Sequence, residues 1–303
     1  MTLFDERSLD VERVEANEAS GQAISPMSFD GARIVRVGLG LAYDGTDFHG
    51  FAPQPHERSV AGVLLLALHE LVGDVLNCVC AGRTDAGVHA THQVVHVDCD
   101  EAILRRRFGE GELSEGIELD ALSRALCAML APEVYCWRAV VMPAHFDARR
   151  SALARRYRYD IDASLHPDPL RRRSSWQVGV PLDLNAMRLG TDPLLGEHDF
   201  SAFCRRPDDQ PKGPLMRRVL EADWHVLHEG TYRLEIEAQA FCHQMVRSIV
   251  GALVAVGEGK MHSSEIFALL RSADRSLAPM LAPPQGLCLM NVSYPKEFAA
   301  LLE

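Results

Sequence analysis

The sequence predicts an α+β protein built in two halves. Short runs with strand-like alternation recur along its 303 residues. Apolar helical stretches fall between them in both halves. Each half holds strands interleaved with helices, the pattern of an antiparallel-dominated sheet backed by helices. No internal repeat is strong enough to establish a duplication.

The elements follow in order. Residues 1–30 are acidic and without clear periodicity, and are expected to form a flexible tail. A first half, 31–145, opens with a strand from Ile34 to Leu41 and a turn at Tyr43–Asp47. Ser59 is a good N-cap for a helix to about Val72, apolar almost all round and so expected to be buried. A strand at Val75–Cys80, a polar loop at Gly82–His89 and a strand at Gln93–Val97 come next. Residues 108–117 read as an acidic insertion loop, followed by a helix near 119–130 and a strand near 133–142. The second half, 146–303, predicts strands at 155–161, 217–227, 231–239 and 287–293, and helices at 184–195, 241–256 and 263–271.

Composition narrows the class. Hydrophobic residues are 47% and charged residues 24%, ordinary for a water-soluble fold. The longest apolar run, Val60 to Leu68, is far short of the roughly 20 residues a spanning helix needs. The acidic start lacks the basic-then-apolar order of a signal peptide, so no membrane association and a cytoplasmic location are expected. The eight cysteines are scattered without the spacing of a zinc knuckle, and are expected as reduced thiols. The net charge of −11 is unevenly spread. Residues 1–30 carry seven acids and two bases, and residues 100–120 seven acids and three arginines. Residues 145–218 carry ten acids and fourteen bases, leaving a locally basic region able to meet phosphates.

Three segments hold chemistry-bearing residues. In Gly82-Arg83-Thr84-Asp85-Ala86-Gly87-Val88-His89, two glycines bracket a loop tipped by Asp85. A carboxylate beside a cation is suited to act as nucleophile or base, and the same residues are also good turn chemistry. Between Arg149 and Arg158 five arginines (Arg149, Arg150, Arg155, Arg156 and Arg158) lie in ten positions. On a strand Tyr157 and Tyr159 share one face and Arg156 and Arg158 the other, a pairing that serves base stacking and phosphate contact. Core tyrosines with solvated arginines would give the same pattern. The third is Phe241-Cys242-His243-Gln244-Met245-Val246-Arg247, where Phe241, Met245, Ile249 and Leu253 fall at core-facing helical spacing. Arg247 interrupts that apolar stretch, so it either reaches solvent or needs a buried partner, for which Asp85 is suitable. A metal site is not expected: on a strand His92 and His96 would lie about 13 Å apart.

Together these segments resemble the tRNA pseudouridine synthase I family. The Gly82–His89 run looks like its catalytic motif. Tyr43-Asp44-Gly45-Thr46, Arg156-Tyr157-Arg158-Tyr159, His198-Asp199-Phe200-Ser201-Ala202-Phe203, Met245–Gly251, and Gly286-Leu287 with Tyr294-Pro295 follow in the family's order over residues 34–295. The departures are Phe51, Ala52 and Ala61 near the first helix, and Cys127 and Ala131 before the strand near 133.

The resemblance implies two ferredoxin-like halves with the active site in a cleft between their sheets. It implies a homodimer, no metal and no organic cofactor. It implies Asp85, Tyr157 and Arg247 as catalytic residues, and the anticodon stem-loop of tRNA, at positions 38, 39 and 40, as substrate. Arg83, Arg149, Arg150, Arg156, Arg158 and Arg172 are the candidate RNA contacts, with Tyr157 stacking on the flipped base. Two other classes fit parts of the pattern. An RNA-binding module would need the arginines and not Asp85, and a hydrolase using Asp85 would release free uracil.

Overall fold

The computed structural model describes residues 33–109, 112–206 and 213–302. The expected tail, 1–30, and part of the 108–117 loop lie outside them. The strands are β1 (Ile34–Tyr43), β2 (Cys78–Cys80), β3 (His89–Asp100), β4 (Val134–Met142), β5 (Ala154–Asp162), β6 (Trp176–Gln177), β7 (Gly196–Asp199), β8 (Met216–His228), β9 (Thr231–Ala238) and β10 (Leu287–Ser293). The helices are α1 (Val60–Val72), α2 (Glu101–Phe108), α3 (Asp120–Leu130), α4 (Leu184–Thr191), α5 (Met245–Gly257), α6 (Ser263–Ser272) and α7 (Lys296–Leu302).

All ten strands belong to one sheet, ordered β4-β1-β3-β10-β5-β9-β8-β7, with β2 on β3 and β6 on β5. Two separate sheets were expected. They are fused because β10 runs parallel to β3, pairing Cys288 with His89 and Leu289 with Ala90. The other pairings are antiparallel except for the short β5–β6 contact. The seam therefore lies where β3 leaves the Asp85 loop and β5 carries Tyr157.

Alternation decides the packing. In β1 Val37, Leu39, Leu41 and Tyr43 are buried on one face. Gly38 and Gly40 on the other leave room for Met142 and Trp137. Helices α1 and α3 pack on each other, and α4, α5 and α6 form a second group. Ser59 caps α1 by accepting the Gly62 N–H at 3.2 Å.

Several boundaries differ from expectation for local reasons. α4 gives way to a tight turn at Asp192-Pro193, because proline lacks the amide a helix needs. α5 starts at Met245 rather than Phe241, because Gln244 takes a left-handed backbone (φ 64°). Phe241 therefore leaves the helical stripe and packs edge-on against Tyr157, centroids 5.2 Å apart. α2 was not expected. It is capped by Asp100, whose carboxylate accepts the Ala102 N–H at 2.7 Å, and it has three arginines in its last turn that hide its periodicity. α7, beyond Pro295, was also not expected. The described end of the acidic loop is anchored: Leu113 is buried, and Gly116 N–H donates to Val141 O at 2.8 Å.

The expectation of eight reduced cysteines is corrected at one pair. Cys204 and Cys242 form a disulfide, with Cα atoms 5.7 Å apart across 38 residues of sequence. Burial pushes the Cys78, Cys80, Cys99 and Cys136 thiols up to about 12, which keeps them unreactive.

Candidate active site

The Asp85 loop is fixed from below by buried polar contacts. Tyr43 and Thr84 share a hydrogen bond of 2.8 Å between hydroxyls, and Gln93 donates to Gly82 O at 2.7 Å. Phe51 N–H donates to Thr84 O at 3.1 Å. Burial pushes the Tyr43 hydroxyl far above its ordinary range, so it stays a neutral phenol. Two glycines are required. A Cβ on Gly45 would lie 2.0 Å from Val88 O, and Gly87 has φ +77° with a Cβ position 2.8 Å from Pro284. The Tyr43-Asp44-Gly45-Thr46 turn is thus the bed of the loop. His89, at the loop's end, accepts the Gly45 N–H on Nδ1 at 3.1 Å and reaches Arg173 O through Nε2 at 2.7 Å.

The tip of this loop meets α5. Arg247 donates from Nη1 to Oδ2 of Asp85 at 3.0 Å and from Nε to Ala282 O at 2.8 Å. Its side chain is 12% exposed and that of Asp85 20%. The apolar helix therefore does turn its one arginine inward, with the carboxylate as the partner that makes burial tolerable. On the other oxygen of Asp85, Oδ1, stands His243 Nε2 at 3.5 Å. The sequence reading gave His243 no role.

Tyr157 lies on β5, buried and edge-on to Phe241. A Cβ on Gly82 would sit 3.7 Å from its hydroxyl, which places the ring beside the foot of the loop. Burial, with the Asp85 charge nearby, pushes its hydroxyl far above the usual range, so it remains a proton carrier at neutral pH.

The arginines separate into four kinds. Arg155, counted with the basic cluster, is buried. It donates to Ala81 O at 2.8 Å, Arg149 O at 2.6 Å and Gln239 O at 2.8 Å, tying the loop's base to β5 and β9. Its side chain follows the Tyr157 face of β5, and alternation along the strand already carries that signal. Arg156 is clamped on the opposite face, 2.6 Å from Glu221 and 2.8 Å from Glu237. Arg158 lines a cavity of about 260 Å³ with Tyr43, Asp44, His89, Thr91 and Arg173. Arg83, Arg149, Arg150 and Arg172 are exposed, and Arg149 lies near Cys80 at the base of the loop.

Cys127 stands where the resembled family has asparagine. Its sulfur donates to Cys136 O at 3.1 Å and accepts from Cys136 N at 3.3 Å, so donor and acceptor capacity are both kept. Among the described residues no group of three or more His, Cys, Asp or Glu could hold a metal ion. Among them, too, no helix is long and apolar enough to cross a membrane.

Comparison with known proteins defines first a class. A family model described as tRNA pseudouridine synthase matches residues 192–295, a span that holds His243 and Arg247. Three relatives, each named tRNA pseudouridine synthase A, cover nearly the whole chain. That of Leifsonia xyli is 42% identical over 270 residues, 86% of this chain and 92% of the relative. That of Frankia casuarinae is 41% identical, covering 87% and 91%. That of Legionella pneumophila is 38% identical, covering 88% and 95%. A crystal structure of a Cbf5-Nop10-Gar1 complex overlaps at TM-score 0.33 with 10% identity, covering 84% of this chain and 48% of that one, too distant to carry an argument. The chain belongs to the tRNA pseudouridine synthase A family, and as such it is an isomerase.

Proposed function

We propose that the protein converts uridine to pseudouridine at positions 38, 39 and 40 of the tRNA anticodon stem-loop, with Asp85 as the reacting carboxylate. The observation that carries this reading is the 3.0 Å contact from Arg247 to Asp85 at the tip of the loop. Arg247 orients one carboxylate oxygen and offsets its charge, and the Asp85 side chain, 20% exposed with His243 beside its other oxygen, is reached by a nucleotide from the exposed side. The uridine leaves its stack to reach it.

The reaction breaks the N1–C1′ bond, turns the uracil and joins C5 to C1′. The C5 proton leaves and N1 gains a proton, so the product is an isomer and no electrons are exchanged. Asp85 serves each of three routes: attack on C1′, attack on C6, or assistance to glycal formation. Tyr157, a neutral phenol beside the loop, stacks against the base and relays the C5 proton. Arg83, Arg149, Arg150, Arg158 and Arg172 contact RNA phosphates.

The chain acts as a cytoplasmic homodimer, each subunit made of two ferredoxin-like halves, 31–145 and 146–303. The test of substrate choice is carbodiimide mapping after incubation with unmodified tRNA. Reverse-transcription stops at 38, 39 and 40 are expected. Stops elsewhere overturn the site choice. Release of free uracil makes the protein a hydrolase, and binding without any change makes it an RNA-binding module.

A further inference from the structure

We infer that His243 is a second positioning residue for Asp85, steering Oδ1 while Arg247 holds Oδ2. This rests on the reading of Asp85 as the reacting group. The torsion that turns a carboxylate about its Cβ–Cγ bond is broad, so one contact on one oxygen leaves the plane free to swing. Contacts on both oxygens set it. Arg247 Nη1 lies 3.0 Å from Oδ2, and His243 Nε2 lies 3.5 Å from Oδ1.

The backbone around His243 is built to hold the ring there. Arg205 N–H donates to His243 O at 2.9 Å. The neighbouring Cys242 is tied to Cys204, and its carbonyl accepts the Met245 N–H at 3.1 Å. Gln244 spends a left-handed conformation (φ 64°) to turn the chain between His243 and α5. Two ties from the adjacent residues Cys204 and Arg205, with the left-handed turn at Gln244, thus fix the backbone of a residue whose side chain is itself 45% exposed. Such an exposed ring adds little to the core, so the constraints serve its place beside Asp85.

The two contacts differ in kind. Arg247 is the more buried partner and makes a direct hydrogen bond. His243 is longer than a tight N–H to O bond and stands on the open side. It aims Oδ1 toward the entering ribose without closing the approach to it.

The test compares wild type, His243→Ala and His243→Gln on unmodified tRNA, reading kcat, KM and thermal midpoint. His243→Ala is expected to lower kcat about tenfold with KM and the midpoint near wild type. His243→Gln, whose amide N–H can donate to Oδ1, is expected to recover most of kcat. An unchanged kcat in His243→Ala, a rise in KM alone, or a glutamine variant as slow as alanine overturns the positioning role. A wild type that makes no pseudouridine overturns the reading of the reaction instead, and this inference with it.

Discussion

Asp85 and Arg247 are 162 residues apart in the chain and 3.0 Å apart in the fold. The first sits on a loop leading into β3 and the second in the first turn of α5. Their contact joins the two ends of the site across the β3–β10 seam. Arg247→Ala is expected to abolish most activity and to cost about 1.5–3 kcal/mol of stability, the range for a hydrogen bond to a charged group. Arg247→Lys keeps the charge but cannot serve both Asp85 and Ala282 O, so it should lose activity more than stability. Chemical denaturation beside a pseudouridine assay checks both, and a fully active Arg247→Ala contradicts the assignment.

Arg155 behaves differently from the arginines around it. Its guanidinium supplies hydrogen bonds to the carbonyls of Ala81, Arg149 and Gln239, and each would be left without this donor on truncation. Arg155→Ala is expected to lose about 3–5 kcal/mol of stability. The salt dependence of its tRNA binding should not change. A flattened salt slope with an unchanged thermal midpoint would return Arg155 to the RNA-facing surface.

Exposed arginines should read out through salt. Arg149→Ala and Arg172→Ala are each expected to flatten the log–log slope of tRNA affinity against salt by about one unit. Arg156→Ala should leave the slope alone, because Glu221 and Glu237 already occupy that guanidinium. Equal slopes for wild type and Arg172→Ala would contradict the phosphate contact.

His96 gives a stability change with pH. It is buried, and burial with the nearby Arg36 cation pushes its pKa from 6.5 down to about 4, against the opposing pull of Asp98 and Asp147. Its Nδ1 accepts the Ala148 N–H at 3.0 Å, which a proton on that nitrogen would forbid. The unfolded chain takes up a proton near pH 6.5 that the folded chain refuses until about pH 4. Stability from this group is therefore complete above 6.5 and falls as pH drops through that window, by up to about 3 kcal/mol. His96→Asn, which keeps an acceptor near Nδ1, should flatten the fall in thermal midpoint between pH 6.5 and 4. Parallel curves for the two proteins would contradict this.

Much of the site was legible because it depends on local chemistry. The glycine-bracketed loop put Asp85 at a tip, and the apolar stripe around Arg247 left it two outcomes, solvent or a buried partner, of which the fold uses the second, with Asp85 as the partner. What stayed hidden depends on contacts distant in sequence. The left-handed Gln244 is set by ties from Arg205 and Cys204, which lie about 40 residues earlier, so Phe241–Gln244 looked like more helix. His243 stands four residues before Arg247, a spacing that could have linked them. Arg155 could have been separated from Arg156 by the same alternation that paired Tyr157 with Tyr159. The fusion of the strands into one sheet rests on only two residue pairs between β3 and β10, too short a register to show in the pattern.

The most direct measurement is pseudouridine formation by Asp85→Asn. The substitution keeps the side chain's shape and removes its charge, and the loop itself rests on Tyr43, Thr84 and Gln93 rather than on this carboxylate. Unmodified tRNA is incubated with wild type and variant, and pseudouridine is mapped by carbodiimide labelling while affinity is measured in parallel. The account predicts that pseudouridine disappears while tRNA affinity stays near wild type. Substantial pseudouridine made by Asp85→Asn would contradict it.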